Sequence, residues 1–343
     1  MEEALDPDNR TLTDEDIALQ DGFGRQLAEL QRKGRDCPPN YGSVIFRRSE
    51  SCGSGFGNPK VNVVNLTLWN LVFLFAASLL MGACSLPMPG GLSSGTKREL
   101  GVRYTSAAWP APLVADIYHH PGRRPAPAVL LVHGGSWKAN GPRWTMTGIA
   151  RILANRGYVV VNATYRGLPD SPFPAPADDL REALRWMRAN ASVYGIDPGK
   201  IATFGYSAGG HLAALVGLED GNVAAIVTIS APSDLGLYPD DPNVCSLLGG
   251  NFNEVPQAFR AASPVSHVSA ASPPILLLHG TKDTTVPPEH ALRMKAAYTA
   301  NGRFARLHWL DGRGHARALL LPGRAINEVV EFLDTSFERD EGR

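Results

Sequence analysis

The residues with the clearest chemical potential lie in the segment GYSAGGH, residues 205–211, where Ser207 stands in the pattern G-x-S-x-G. A serine held on a tight turn can act as a nucleophile when a base lies beside it. The pattern alone is too short to decide, since GLSSG at 91–95 matches it as well. The elements around each serine must therefore discriminate between the two.

The surroundings of Ser207 are those of a nucleophile elbow. A β-rich run, residues 201–204, leads into Gly205, and an Ala/Leu-rich helix-forming stretch follows the serine. This order predicts a strand, a sharp turn and a helix. Glycine at 205 and at 209 predicts close approach of neighbouring backbone. Ser93 lies instead in a Pro/Gly/Ser-rich stretch that predicts a flexible linker, with no scaffold to hold it against a base.

A nucleophilic serine also needs a histidine base and an acid that orients it, and in this context the acid precedes the histidine. Asp283 follows the apolar run ILLL, and His315 lies in a Gly-rich loop after the β-rich run RLHWL. These positions predict Asp283 as the acid and His315 as the base. Asp311 is the alternative acid, although its place in the same loop as His315 favours a turn-capping role.

Three other histidines downstream of Ser207 are weaker candidates for the base. His279 precedes Asp283 and so breaks the expected order. His290 lies in a helix-start pattern, PPEHALRMKAAY, which predicts a solvated face. His308 lies inside a strand pattern, which predicts packing.

The segment HGGSW at 133–137 directly follows an apolar run and is the candidate oxyanion loop. Gly134 and Gly135 would let backbone N–H groups approach a substrate oxygen, and Ala208 N–H would supply a further donor. Each such donor is typically worth about 3 kcal/mol in the transition state. The expected substrate-lining side chains are aromatic: Trp137, Trp144 and Tyr206.

The rest of the C-terminal part predicts an α/β fold. From residue 102 onward, apolar runs such as PAVLLVH and GYVVVNATY alternate with helical stretches. Continuous apolar runs are typical of strands buried on both faces, so we expect a mostly parallel sheet covered by helices on both sides. The net charge is zero, which gives no indication of a nucleic-acid partner. The four cysteines show no zinc-ligand spacing, and we expect no metal or cofactor.

The N-terminal part differs from the rest of the chain in composition. Residues 1–60 are polar, which predicts disorder, and residues 61–84 form an apolar segment. We expect residues 85–100 to be a flexible linker and residues 101–343 to be the catalytic domain. The apolar segment predicts either an uncleaved transmembrane anchor or a secretory signal ending in LMGAC, similar to a lipobox with a lipidated Cys84. Because signals lie at chain starts, the second alternative places the true translation start further downstream. Both alternatives place the catalytic part outside the cytoplasm, in the cell envelope.

Four segments carry a resemblance to a known family: ADIY, HGGSW, the long segment that ends in GYSAGGHLA, and ILLLHGTKDTTVP. In these segments the chain resembles α/β-hydrolase esterases related to the hormone-sensitive-lipase group. The resemblance is closer to bacterial acetyl or carbohydrate esterases, covers about residues 102–333, and implies an α/β-hydrolase fold without a large cap domain. It implies Ser207 as nucleophile, Asp283 as acid, His315 as base and oxyanion donors from Gly134, Gly135 and Ala208. It also implies structural roles for Asp116, Tyr165 and Arg166.

The predicted function is a serine carboxylesterase that hydrolyses short-chain, acetyl-type esters on a small molecule or a sugar. An arylformamidase similar to kynurenine formamidase is the nearest alternative, because HGGSW with Lys138 resembles that group too. A non-catalytic binding module of the same fold and a polymer depolymerase stay open.

Overall fold

A computed structural model describes residues 92–122, 125–139, 143–321 and 323–338. Within these residues, strands and helices alternate along the chain as the apolar pattern predicts. The strands are β1 (Lys97–Arg103), β2 (Val114–His119), β3 (Ala126–Val132), β4 (Val159–Ala163), β5 (Ile196–Tyr206), β6 (Val223–Ile229), β7 (Ile275–Gly280) and β8 (Ala305–Leu310). The helices are α1 (Thr147–Asn155), α2 (Ala175–Ala189), α3 (Ala191–Tyr194), α4 (Ala208–Glu219), α5 (Pro242–Leu248), α6 (Pro256–Ala262), α7 (Glu289–Ala300), α8 (His315–Ala318) and α9 (Gly323–Glu338).

The eight strands form one sheet in the order β1-β2-β4-β3-β5-β6-β7-β8. Strand β2 is antiparallel to both of its neighbours, and the strands from β4 to β8 are parallel. In a parallel sheet the carboxyl ends of neighbouring strands meet at one edge, and ligands bind there. The loops after β3, β5, β7 and β8 therefore converge on one side of the sheet. These are the loops that carry the candidate residues.

Both faces of the sheet are buried, which explains the continuous apolar strands. Along β3, Leu130 and Val132 face one core cluster, while Val129 and Leu131 face the other. Helices α2, α4 and α7 pack on the first face, and α1 and α9 pack on the second. The predicted mostly parallel sheet with helices on both sides is confirmed.

The described residues contain no separate cap domain. Their longest segment between two strands, residues 230–274, holds two seven-residue helices and two short 3₁₀ turns. It follows β6 and lies beside the strand ends that carry the candidate residues. The fold expected from the resemblance is therefore observed in the described part of the chain.

The N-terminal boundary differs from the expectation. Strand β1 begins at Lys97, so the last residues of the predicted linker, 85–100, pair with β2 instead. The sequence of β1, KRELGVR, is rich in charge because this strand lies at the sheet edge, and the charges conceal the strand pattern. The predicted segments 1–60 and 61–84, with Cys84, lie outside the described residues. None of the helices that are described is long and apolar enough to cross a membrane.

Candidate active site

The turn after β5 holds Ser207 in a backbone conformation that residues other than glycine rarely adopt, with φ 53° and ψ −126°. Two hydrogen bonds fix the turn. The Ser207 N–H donates to the Ile229 carbonyl oxygen of β6 at 2.9 Å, and the Ser207 carbonyl accepts the His211 N–H of α4 at 2.9 Å. Such a conformation persists only where neighbours hold it. The predicted strand–turn–helix is thus observed, with the serine at its apex.

The glycines on either side of Ser207 are required by close packing, as predicted. A Cβ atom on Gly205 would overlap the Gly209 carbonyl oxygen, and one on Gly209 would overlap the His133 carbonyl oxygen. No rotation of a side chain can relieve a clash with backbone. The pattern G-x-S-x-G is therefore a steric requirement of this turn.

The structure brings Ser207, His315 and Asp283 together in a hydrogen-bonded series. The Ser207 Oγ lies 2.8 Å from His315 Nε2, and His315 Nδ1 lies 2.8 Å from Asp283 Oδ2. A carboxylate only accepts hydrogen bonds, so Nδ1 carries the ring proton and donates it. The Nε2 atom of the neutral ring is then free to accept the Ser207 hydroxyl proton. This is the arrangement of a nucleophile, a base and an orienting acid.

Asp283 is buried, and its second oxygen is also satisfied. The Oδ1 atom accepts the backbone N–H groups of Thr285 at 3.0 Å and Val286 at 2.9 Å. Burial acts to raise the pKa of Asp283, but the hydrogen bonds from His315 and from the Val286 backbone outweigh it and hold the pKa below its ordinary value. The carboxylate is therefore ionised near neutral pH and fixed in direction.

The competing candidates do not replace Asp283 or His315 in this hydrogen-bonded series. Asp311 is exposed in the turn after β8, while the partner of His315 Nδ1 is Asp283. His308 Nδ1 lies 2.7 Å from the carboxylate of Glu328 on α9. His279 is buried, and its Nε2 donates to the Val286 carbonyl oxygen at 2.8 Å.

The expectation for His290 was wrong: it is fully buried instead of solvated. Its ring lies against the segment that follows β6, where its Nδ1 accepts the Asp234 N–H at 3.3 Å. The first turn of α7 therefore faces inward. Burial lowers the pKa of His290 to about 3, so the ring is neutral.

Residues 133–139, here called the oxyanion loop, follow β3 and lie against the elbow. A Cβ atom on Gly134 would lie 2.9 Å from Tyr206 Cδ1 and 3.1 Å from Ser207 Cβ, so a side chain there would press on the nucleophile. The next residue, Gly135, has φ 127°, which favours glycine. The two predicted glycines are thus placed beside the serine.

Ala208, the third predicted donor, is the first residue of α4. The N–H groups of a helix's first turn have no partner within the helix, and they carry the positive end of its dipole. The α4 N-terminus and the glycines of the oxyanion loop therefore flank Ser207 from two sides.

The aromatic residues divide between the core and the site. The prediction that Trp137 binds substrate needs correction, because the residue is 5% exposed and its Nε1–H donates to His211 Nδ1 at 3.1 Å. Tyr206 does lie at the site: its hydroxyl donates to the His315 carbonyl oxygen at 3.1 Å, and the two rings are 5.2 Å apart. Trp144 is 73% exposed on a 3₁₀ turn before α1.

The residues to which the resemblance assigned structural roles brace the loops around the site. The Tyr165 hydroxyl donates to the His133 carbonyl oxygen at 3.2 Å, and the two rings stack at 4.6 Å. Arg166 forms a bidentate ion pair with Asp179, and its backbone N–H donates to the same carboxylate at 2.7 Å. Asp116 pairs with Arg143 at 3.1 Å, just before α1.

Sequence reasoning missed two buried polar groups that support the site. Asp179 is fully buried, and it also accepts the Trp109 Nε1–H at 2.8 Å. His211 is fully buried and bonded to Trp137. In each case a signal existed, namely a polar residue on the inward face of a helix that is otherwise apolar there. Among the residues that the structure describes, no cluster of His, Cys, Asp or Glu is placed to hold a metal ion.

Comparison with known proteins places this geometry in a family. The BD-FAE family model matches residues 115–298, which is more than half of the chain and runs from within β2 to within α7. The chain belongs to the BD-FAE family. Ser207 and Asp283 lie inside the matched region of this BD-FAE chain, and His315 lies beyond it.

The BD-FAE chain is also similar to curated esterases. It is 33% identical to the esterase LipQ of Mycobacterium tuberculosis over 246 residues, which cover 65% of the chain and 58% of LipQ. The chain thus spans less than two thirds of this relative's length.

Solved structures share the fold. A truncated carbohydrate esterase from gut microbiota covers 73% of the BD-FAE chain with a TM-score of 0.66 at 24% identity, and all of that protein is covered. The thermophilic esterase of Thermogutta terrifontis, in its butyrate-bound form, covers 73% of the chain with a TM-score of 0.58 at 26% identity, and 95% of that protein is covered. Both confirm the α/β-hydrolase fold.

Proposed function

We propose that this protein is a serine carboxylesterase that hydrolyses short-chain, acetyl-type esters through a covalent acyl-enzyme. The observation that carries the proposal is the series of 2.8 Å hydrogen bonds from Ser207 to His315 and from His315 to Asp283. It lies beside a glycine loop and a helix N-terminus that together offer N–H donors. Nucleophile, base, orienting acid and oxyanion donors are the parts that acyl transfer requires.

In the first half of the reaction, Ser207 Oγ bonds to the ester carbonyl carbon while its proton passes to His315 Nε2. The carbonyl oxygen becomes an oxyanion and accepts hydrogen bonds from the N–H groups of Gly134, Gly135 and Ala208. Asp283 accepts from His315 Nδ1 and so stabilises the imidazolium. The intermediate then collapses, the C–O bond to the alcohol breaks, and the alcohol leaves with the proton from Nε2.

In the second half, water takes the place of the alcohol. His315 Nε2 removes a proton from the water as its oxygen attacks the acyl carbon, and the same N–H donors hold the second oxyanion. Collapse breaks the bond to Ser207 Oγ, which recovers its proton from Nε2, and the carboxylic acid leaves. Each step uses groups of the chain and one water.

Two observations favour a short acyl group. Ser207 and His315 are partly exposed at the strand ends, and the described residues contain no cap domain that could enclose a long chain. Long acyl chains need an enclosed apolar channel. The T. terrifontis esterase, similar to this chain, has been solved with butyrate bound. A partly exposed site also suits acyl groups carried on a bulky alcohol such as a sugar.

The proposal is tested by hydrolysis of p-nitrophenyl esters from acetate to palmitate by the full-length protein and its Ser207→Ala variant. We expect Ser207-dependent activity with kcat/KM highest at acetate or butyrate. A maximum at a chain of ten or more carbons would contradict the short-chain part of the proposal. N-formylkynurenine in the same assay tests the amidase alternative, which would be favoured if it were hydrolysed faster than the acetate.

We also propose that the catalytic domain is exported and held at the membrane by residues 61–84 or by lipidated Cys84. Support comes from the sequence, which has no charged residue from 61 to 96 and an apolar stretch of bilayer length at 66–84. Fractionation of the native host tests it: we expect esterase activity in the envelope fraction. A Cys84→Ser variant that stays there would favour the uncleaved anchor, and activity confined to the cytoplasm would contradict export.

A further inference from the structure

The oxyanion loop has a backbone that its own sequence does not favour. Three consecutive residues have positive φ angles: Gly135 at 127°, Ser136 at 51° and Trp137 at 57°. For residues with a Cβ atom this conformation is strained, so it persists only where surrounding contacts impose it. The contacts of Trp137 are therefore among those that hold the loop carrying Gly134 and Gly135 in this conformation.

Trp137 is held through its side chain by His211, which lies on α4 one turn after Ser207. The indole Nε1–H donates to His211 Nδ1 at 3.1 Å, and the two rings meet edge to face at 5.3 Å. His211 Nε2 lies 2.7 Å from the Ala262 carbonyl oxygen. Both residues are buried. The contact joins the oxyanion loop to the helix that begins at Ala208.

The direction of each hydrogen bond is fixed by chemistry. A carbonyl oxygen can only accept, so His211 Nε2 carries a proton and donates to Ala262. An indole N–H can only donate, so His211 Nδ1 must be unprotonated. Burial, with a smaller contribution from the nearby His267, lowers the pKa of His211 to about 4, so the ring is neutral. His279 and His290, the other titratable groups around the small cavity beside His211, also have pKa values lowered by burial.

A second set of contacts holds the backbone of Trp137. Its carbonyl oxygen accepts the Leu168 N–H at 2.8 Å, and the Ala139 N–H donates to the Leu168 carbonyl oxygen at 3.1 Å. Gly167 packs so closely on Trp137 that a Cβ atom there would overlap the Trp137 carbonyl oxygen. The loop after β4 thus fixes the backbone, and His211 fixes the side chain.

We propose that His211 is a positioning residue for ester hydrolysis: acting through Trp137, it holds the oxyanion loop in register with the N-terminus of α4. The role rests on the proposed function, because it matters only if Gly134, Gly135 and Ala208 bind an oxyanion. His211 touches no reacting atom. Its effect is on where the donors lie, and misplacement of about 1 Å can cost roughly 100-fold in rate.

Four variants of the full-length protein test the role. His211→Leu removes the acceptor for the indole, and Trp137→Phe removes the donor while keeping a ring in the core. His211→Asn keeps an acceptor oxygen near the position of Nδ1. The double variant carries Trp137→Phe and His211→Leu. His290→Leu is the matched control, since it makes the same buried substitution at a histidine that contacts the segment after β6 instead of the oxyanion loop.

We expect His211→Leu and Trp137→Phe each to lower kcat on p-nitrophenyl acetate about 10- to 100-fold, with KM changed less than about two-fold. Affinity for a trifluoromethyl ketone, whose adduct carries the oxyanion, should fall by the same factor as kcat/KM. The double variant should be no worse than the poorer single variant, because both break one contact. His211→Asn should retain most of kcat, and His290→Leu should stay within two-fold of the wild type.

Three results would overturn the role: unchanged kcat in both single variants, losses that multiply in the double variant, or an equal loss in His290→Leu. Ser207-dependent hydrolysis by the wild type is measured first, which separates the two proposals. If the wild type is active and the variants are as well, only the positioning role fails. If the wild type shows no Ser207-dependent hydrolysis, the proposed function fails and the positioning role fails with it.

Discussion

The chain contains the pattern G-x-S-x-G twice, and the two stretches differ in what surrounds the serine. At 205–209 the serine has a strained backbone, and its Oγ lies 2.8 Å from an imidazole nitrogen. In the first stretch, of which 92–95 are described, the Ser93 Oγ lies 2.7 Å from the Thr96 hydroxyl. The Thr96 hydroxyl oxygen in turn lies 3.5 Å from His120 Nδ1, so this imidazole contacts Thr96 and not Ser93.

The glycines of the two stretches serve different purposes. Gly205 and Gly209 are enclosed by backbone, so any larger residue would clash. Gly95 has open space around the position of a Cβ atom, and it is favoured there because its φ is 90° in a turn. The same letters therefore encode a packed elbow in one place and a surface turn in the other. The reactive copy of the pattern is therefore the one whose glycines are packed against neighbouring backbone.

The largest expected difference between the stretches is in catalysis. Ser207→Ala should lower kcat on p-nitrophenyl acetate by about 10⁵-fold or more, because it removes the nucleophile that the base activates. Ser93→Ala should leave kcat within two-fold of the wild type. Initial rates of the two purified variants check this. A large loss in Ser93→Ala, or retained activity in Ser207→Ala, would reverse the assignment.

Replacing the acid is expected to lower kcat by a smaller factor, and again at one of two candidate positions only. Asp283→Asn should lower kcat about 10³- to 10⁴-fold, because an amide cannot hold the His315 tautomer that a carboxylate holds. Asp311→Asn, in the exposed turn after β8, should stay within two-fold. Steady-state kinetics of both variants on the acetate ester decide between the two acids. An Asp311→Asn enzyme poorer than Asp283→Asn would show that the acid is misassigned.

The glycines of the two stretches predict different losses of stability on substitution by alanine. Gly209→Ala should destabilise the protein by about 4 kcal/mol or more, since the added Cβ meets the His133 carbonyl oxygen and neither backbone can move freely. Gly95→Ala should cost only about 1–2 kcal/mol, the price of a left-handed residue in open space. Urea unfolding of the two variants measures both. Equal losses would mean that packing does not distinguish the stretches.

The buried His211 predicts that the stability of the protein depends on pH. The folded-state pKa of His211 is about 4, below the ordinary 6.5, so between these values the unfolded chain binds a proton that the folded protein does not. Stability from His211 is fully present above pH 6.5 and falls as the pH drops to about 4, by roughly 3 kcal/mol. Urea unfolding from pH 7 to pH 4 measures this fall. A His211→Asn variant with an unchanged slope would assign the proton to other groups.

Much of this arrangement could be predicted from the sequence because it depends on patterns that sequence carries. Continuous apolar strands predicted a sheet buried on both faces, and the order of Ser207, Asp283 and His315 along the chain matched three loops at one sheet edge. Gly205 and Gly209 predicted close packing, which the structure shows.

The failures of sequence reasoning have physical causes. Trp137 was expected at the substrate, but positive φ angles at 136 and 137 turn its indole into the core, and loop dihedrals are not readable from residue types. His290 was expected in solvent, but the segment after β6 covers the first turn of α7. Strand β1 was expected as linker because edge strands carry charges.

The residues around Ser207 make it, and not Ser93, the reactive serine. The most direct test is to react the full-length protein with a fluorophosphonate, which labels activated serines, and to map the adduct by peptide mass spectrometry. We expect one adduct, on Ser207, and none in a His315→Ala variant. An adduct on Ser93, or equal labelling of Ser207 with and without His315, would contradict this assignment.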